Sequence, residues 1–276
     1  MIYFSTIALL LGIIVGSFLN VVILRYNTGK GLNGRSECLS CQKKLSWKEL
    51  VPVLSFFIQK RRCAGCDSVL RWQYPLVELV TGLLFLCTYI KLEILLYENL
   101  PLFLILLTLN LIIWSVLVVI FVYDLYHTII PNIFVYIFII CAGCIALIDF
   151  NAYHLVLSGV DVLSVLDLVA GPLLLLPFFM LWDISDGRWI GLGDGKLAIG
   201  IGLLLGFVAG ISAIILSFWI GAAFSVAYLL YMVFVKKKKR SEITRQIPFA
   251  PFMIVALIIM YFFPVDILNI GIFFLQ

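Results

Sequence analysis

"LPLFLILLTLNLIIWSVLVVIFVYDLYHTIIPN", residues 100–132, carries no charged side chain from Leu100 to Tyr123, then places Asp124, and Pro131 follows shortly after. A helix crosses the hydrocarbon core with roughly 20 mostly apolar residues. The stretch therefore predicts a spanning helix closed by Asp124 and a second helix begun at Pro131, where a missing N–H costs nothing. The alternation of a membrane β-barrel is absent, which leaves helices as the spanning elements. The rest of the chain is of the same kind: of 276 residues, 64% are hydrophobic and 12% charged, and the mean hydropathy is +1.17. That composition excludes an ordinary soluble domain and predicts an all-α polytopic membrane protein.

Segmentation gives about eight spans, at roughly 5–24, 75–95, 100–122, 130–149, 166–182, 196–209, 211–235 and 250–265. Residues 1–24 lack a basic start and a small-residue cleavage site, so they read as a retained first transmembrane helix. Residues 25–73 form a loop and residues 74–276 a transmembrane bundle interrupted by the basic run "KKKKRSEITR" at 236–245. No internal repeat is visible. Between Arg25 and Arg71 ten Lys or Arg face three acids, and residues 236–245 carry six against Glu242. The positive-inside bias makes both segments cytoplasmic. Counting spans outward puts Glu98 and Asp161 on the far side, and the short loops at 123–129 and 183–195 on the cytoplasmic side. The basic runs orient the chain and contact anionic lipid headgroups; nothing beyond charge suggests nucleic acid.

Within the loop, "CLSC" at 38–41 and "CAGC" at 63–66 give two Cys-x2-Cys pairs separated by 21 residues. Cys38, Cys41, Cys63 and Cys66 together offer four thiolates for a tetrahedral Zn²⁺ site. Disulfides are the rival reading, and a reducing cytoplasm favours the metal. Four thiolates leave no open position, so this zinc is structural: it folds a loop too small for its own core. Cys87, Cys141 and Cys144 fall inside spans and read as helix packing.

Acids at span borders are costly enough to be functional candidates. Asp124 ends the third span and Asp194, in "GLGDGKLAIGIG" at 191–202, opens the sixth, so the two come from different helices at one membrane depth. That geometry suits two carboxylates sharing a water: one takes its proton and the other, protonated, polarises a scissile carbonyl. Helix ends suggest the roles. Asp194 at an N-terminus is expected as the ionised base and Asp124 at a C-terminus as the acid. The plainer readings are an N-cap for Asp194 and a solvated loop acid for Asp124. Gly191, Gly193 and Gly195 are expected to allow unusual backbone conformations and close substrate approach. Gly202, Gly206 and Gly210 form two small-xxx-small steps for helix packing.

Lys196 either pairs with Asp194 or snorkels. Glu78 suits the start of the second span, and Gly12, Gly16 and Asn20 share one face of the first, where Asn20 can bond a neighbouring helix. His127 reads as interfacial, and Trp182, Asp183, Asp186 and Arg188 as a solvated connector.

Several stretches carry a resemblance: "GSFLNVVILR" at 16–25, the Cys pairs, "RWQYPLVELVTG" at 71–82, Tyr123-Asp124 ahead of "IPN", "GLGDGKL", and "IPFAPF" at 247–252. Together they resemble the type IV prepilin peptidase family, the bifunctional leader peptidases and N-methyltransferases of pilus, type II secretion and competence systems. The resemblance implies a G-x-G-D aspartic protease of the bacterial cytoplasmic (inner) membrane, with Asp124 and Asp194 as its catalytic pair facing the cytoplasm. Its substrates would be prepilins or pseudopilins, cut after a glycine. The new N-terminal residue, typically phenylalanine, would then be methylated from S-adenosylmethionine. The Cys-bearing loop goes with the methylating form, and the family pattern raises a role for Glu78 in methyl transfer or in holding the site together. Two departures are modest: "LYHTIIPN" after Asp124, and Ala250 where glycine is common. The competing class is a non-enzymatic transporter or assembly scaffold whose aspartates relay protons.

Overall fold

The computed structural model describes residues 2–29, 31, 34–38, 40–157, 162–236 and 247–267. Asp161 and the basic run beyond Lys236 lie outside the described residues. Among those described, the chain is helical, with two isolated antiparallel bridges and no strand. It forms two compact units, one ending at Val119 and the other beginning at Ile120.

In the first unit, α1 (Ile2–Arg25) packs along α3 (Gln73–Glu98), and the loop between them contains the short α2 (Leu54–Ile58). Small residues bring the two long helices together. A methyl group on Gly12 would lie 2.7 Å from the Gly82 Cα, and one on Gly16 2.7 Å from the Glu78 Cα. Backbones thus meet where side chains are smallest, as in many membrane helix pairs. The opposite face of α1 turns Ile7, Leu11, Ile14 and Phe18 outward, an arrangement stable only where lipid covers it. Asn20 donates to the Tyr74 carbonyl at 3.2 Å, so its interhelical hydrogen bond is present. The start of α4 (Leu100–His127) follows α3 after one residue, Asn99, whose side chain accepts the Leu102 N–H. Trp114 of α4 reaches α3 by donating to Thr88 at 2.8 Å.

In the second unit, α8 (Leu192–Leu205) is surrounded by α5 (Asn132–Leu157), α7 (Ala170–Ser185), α9 (Phe207–Leu230) and α10 (Ala250–Phe262). Its glycines permit this. A methyl at Gly202 would meet the Ala170 carbonyl carbon at 2.7 Å, and one at Gly200 would collide with the Phe138 ring. Leu197, Ala198 and Ile201 are completely or almost completely buried.

Among the described residues, five helices are long and apolar enough to cross a membrane, or six if α6 (Val162–Leu168) and α7, bent by 58°, count as one span. The chain is a multi-pass membrane protein. The expected count of about eight is not reached by length: α8 and α10, with 14 and 13 residues, measure about 21 and 20 Å, short of the ~30 Å core.

The break between α8 and α9 falls at Gly206 (φ +78°), so Gly202, Gly206 and Gly210 do not share one helix face as the sequence suggested. Asp167 accepts the Phe207 N–H at 2.7 Å and satisfies the first turn of α9.

Candidate active site and candidate metal centre

Asp124 lies in the last turn of α4 and Asp194 is the third residue of α8. Both are buried, at 4% and 9% exposure, yet each sits at the end of an apolar helix. The fold of the second unit brings them within electrostatic reach of each other. Neither meets a cation among the described residues: Asp124 accepts the Ala250 N–H, and Asp194 the Gly191 N–H. Two buried acids held by backbone donors, with no counter-ion, are a costly arrangement that a structural role does not require.

The local geometry changes several expectations. Gly191, not Asp194, is the N-cap of α8; Asp194 is at N3 and reaches back to the N-cap N–H, half of a capping box. The role asymmetry drawn from helix ends also disappears. Asp124 does end α4, but its carboxylate also receives the N–H of the first residue of α10. Both acids therefore sit at a helix N-terminus, and the dipoles no longer separate an acid from a base.

None of Gly191, Gly193 and Gly195 has a positive φ; what they supply is space. A methyl at Gly193 would press on Ile130 at 3.2 Å and one at Gly195 on Leu175 at 3.0 Å, whereas beside Gly191 the nearest atom is Asp194 Oδ2 at 3.8 Å. Gly191 is exposed, leaving an open approach to that oxygen. Lys196 does not hold Asp194: its ammonium donates to Asn132 Oδ1 at 2.9 Å and lies 5.5 Å from the Tyr136 ring centroid. His127 packs against Tyr123, and the Asp186–Arg188 pair is exposed, as a connector should be. The Ala250 N–H went unnoticed in the sequence, although Pro251, the second residue of α10, is a helix-start signal.

In the first unit, the sulfurs of Cys38, Cys41, Cys63 and Cys66 all lie within 4.8 Å of one another, a set that can hold a metal ion. Two equivalent turns present them. In the first, Cys38 N–H bonds Lys43 O, Gln42 N–H bonds Cys38 O and Leu45 N–H bonds Ser36 O; in the second, Cys63, Asp67 and Leu70 bond Ser68, Cys63 and Arg61 in the same pattern. Gln42 and Asp67, at matching positions, both adopt positive φ, and the bridges Glu37–Lys44 and Arg62–Val69 also correspond. The loop thus contains a backbone repeat that the sequence does not display. The N–H groups of Cys41 and Ser40 aim at the Cys38 sulfur and bring its pKa down to about 6, poising it as a ligand.

Glu78, buried on α3, accepts the Val53 N–H at 2.7 Å and the Ser17 hydroxyl, so it ties the loop to the helix pair.

Comparison with known proteins agrees with this layout. The family described as the bacterial peptidase A24 N-terminal domain matches residues 10–92, and the type IV leader peptidase family matches residues 111–226. A prepilin leader peptidase/N-methyltransferase of Bacillus subtilis (strain 168) is 30% identical over 268 residues, covering 96% of each chain. The chain belongs to the type IV leader peptidase family. A relative of the same name from Aeromonas salmonicida (strain A449) is 27% identical over 92% of this chain and 88% of its own. Another, from Myxococcus xanthus (strain DK1622), is 46% identical over 83 residues, 30% of this chain and 25% of that relative. No solved structure matches. The N-terminal family match takes in all four cysteines and Glu78, and the peptidase match takes in both aspartates.

Proposed function

We propose that this chain removes the basic leader of type IV prepilins or pseudopilins and methylates the N-terminus so exposed, with Asp124 and Asp194 as the hydrolytic pair. The observation that carries this is the pair itself: two buried acids from separate helices, each on a backbone N–H and neither with a cation among the described residues. Two such carboxylates in electrostatic reach share one proton, because both cannot be charged cheaply. The ionised one takes a proton from water while the protonated one donates to the scissile carbonyl oxygen, and the leaving amine then collects a proton from the pair. Titration belongs to the pair and not to either member. The open side at Gly191 gives the substrate backbone its approach, with Gly193 and Lys196 holding α8 against Ile130 and Asn132.

The substrate's apolar helix would lie among the spans and its cationic leader in water, so the cut falls at the membrane boundary. The positive-inside bias of residues 25–73 supports the cytoplasmic face of the inner membrane as that boundary.

The four thiols fit Zn²⁺. Four ligands about 2.3 Å from one ion stand roughly 3.8 Å apart, and the Cys38 and Cys66 sulfurs are 3.8 Å apart. Zinc there closes the coordination sphere and joins the two turns. S-adenosylmethionine supplies the methyl group when bound. Incubating the chain in lipid nanodiscs with a prepilin and S-adenosylmethionine tests the reading: mass spectrometry should show loss of the leader and gain of one methyl. An intact prepilin, with the enzyme folded and zinc-loaded, would reject it.

A further inference from the structure

Within the cysteine loop, "LVPVLSFFIQKRR" at 50–62 is apolar up to Ile58 apart from Ser55, then carries Lys60, Arg61 and Arg62, and no acid falls between Glu49 and Asp67. A loop surrounded by water would turn such a run inward. Here only Phe56 of α2 is buried, while Leu54, Phe57 and Ile58 are each more than half exposed and Leu50 is exposed beside them. Contiguous apolar exposure of this kind marks a surface that something covers.

Two contacts fix where α2 lies along α3. The Val53 N–H, at the start of α2, donates to Glu78 at 2.7 Å, and the Phe56 ring packs on Trp72 with centroids 5.1 Å apart. Trp72 is the N-cap of α3 and is half exposed, as tryptophans at the headgroup level are. Glu78 lies six residues further on, about 9 Å deeper along the span. Near that level the outer faces of both long helices belong to spanning segments: Leu76 and Leu79 of α3 and Ile14 and Phe18 of α1 are exposed there. The loop therefore dips to the depth of lipid at Val53 and climbs back to the headgroup level, where Arg61 lies 5.5 Å from the Trp72 ring centroid.

The dip accounts for two costly features. Val53 is β-branched yet forms the centre of a γ-turn at φ +62° and ψ −56°, with the Leu54 N–H on the Pro52 carbonyl at 2.6 Å, a strained reversal that persists only where the surroundings demand it. Its own N–H, which lipid could not satisfy, has the Glu78 carboxylate as acceptor.

We propose that residues 50–62 are a membrane anchor for the cysteine loop, and that their partner is the anionic phospholipid of the leaflet on that side. Leu54, Phe57 and Ile58 enter the acyl boundary, where interfacial apolar faces settle about 5–10 Å deep. Lys60 and Arg62 meet headgroup phosphates, their stems lying along the apolar surface. Among the described residues neither cation forms an ion pair within the chain. Charge chooses between occupants: an apolar protein segment would cover Leu54 and Phe57 but leave the cations unpaired, whereas an anionic leaflet satisfies both. Cys63 follows Arg62 directly, so the anchor pins the second cysteine turn to the bilayer surface.

Photo-crosslinking on the zinc-loaded full chain, in nanodiscs of equal phosphatidylglycerol and phosphatidylcholine, tests the anchor. Phe57→p-benzoylphenylalanine keeps an aromatic ring at the exposed position, and Leu76→p-benzoylphenylalanine, on the outer face of α3, calibrates labelling by lipid. After illumination, mass spectrometry should find phospholipid adducts at position 57 in a yield within about threefold of that at position 76, with or without added prepilin. Adducts at position 57 only to prepilin or to a second copy of the chain, or none where position 76 is labelled, would overturn the anchor. One cation near an anionic surface is worth about fivefold. Phosphatidylglycerol should therefore exceed phosphatidylcholine among the adducts at position 57 by at least about fivefold, and adding Lys60→Gln and Arg62→Gln should bring the two close to parity. Equal labelling by both lipids before those substitutions, or an unchanged ratio after them, would overturn the choice of an anionic partner.

Discussion

Gly202→Ala is the sharpest test of how α8 holds Asp194 in place. The added methyl would lie 2.7 Å from both the carbonyl carbon and the oxygen of Ala170 and 2.8 Å from the Gly171 nitrogen. Ordinary contact begins at 3.4 Å, and all three atoms are backbone, with no side chain to rotate away. Relief therefore requires α8 to move from α7 by about 0.7 Å or more, with a packing cost of about 1–3 kcal/mol. Asp194 lies on the same rigid helix, eight residues (about 12 Å) away, and moves with it. A displacement near 1 Å costs about 100-fold in rate when reacting groups must be aligned. Prepilin cleavage by Gly202→Ala should thus fall about 100-fold, with membrane insertion and zinc content unchanged. Gly143→Ala, whose methyl would meet Leu203 at 3.9 Å, is the matched control and should cleave normally. The assay is initial-rate cleavage in nanodiscs at saturating prepilin. A Gly202→Ala enzyme within about threefold of wild type would refute the claim that backbone contact fixes Asp194.

Other outcomes follow from single contacts. Asp167→Ala removes the acceptor of the Phe207 N–H and should destabilise the second unit by about 1–3 kcal/mol, lowering the melting midpoint by several degrees; Asp167→Asn, which keeps an acceptor, should cost less. Glu49 has its pKa brought down to about 2 by the Ser46 N–H and hydroxyl and by Lys43. Because that folded value lies below the unfolded one of about 4.3, its contribution is complete above that pH and lost as pH falls through the folded value. Amide exchange of residues 44–50 in the zinc-loaded chain should be faster in Glu49→Gln than in wild type at pH 7. Cys63→Ser removes a buried member of the sulfur cluster. It should abolish stoichiometric zinc and methylation and leave cleavage intact, as measured by metal analysis and peptide mass.

The membrane class, the two aspartates and the four cysteines were legible because each is a charge or a reactive group in surroundings that normally exclude it. Asp124 interrupts an apolar run, and the cysteines fall at ligand spacing. What stayed hidden depends on backbone geometry. The Asp124 contact comes from the Ala250 N–H, and a main-chain donor has no letter in the sequence. The repeat of the two cysteine turns is likewise made of N–H and C=O bonds between unlike residues. Gly206 was ambiguous, because glycine serves close packing and positive φ equally well, and only Asp167 from a distant helix decides that it breaks α8 from α9. The number of spans was obscured for a related reason: apolar residues show that α8 and α10 are buried but not whether they cross the bilayer.

Separate substitution of the two aspartates is the most direct measurement. Asp124→Asn and Asp194→Asn, each inserted and zinc-loaded, are assayed for prepilin cleavage alongside methylation of a pre-cleaved peptide. Each variant should lose cleavage completely and keep methylation; a variant of either position that still cleaves at a rate near wild type would contradict a hydrolytic centre built from both carboxylates.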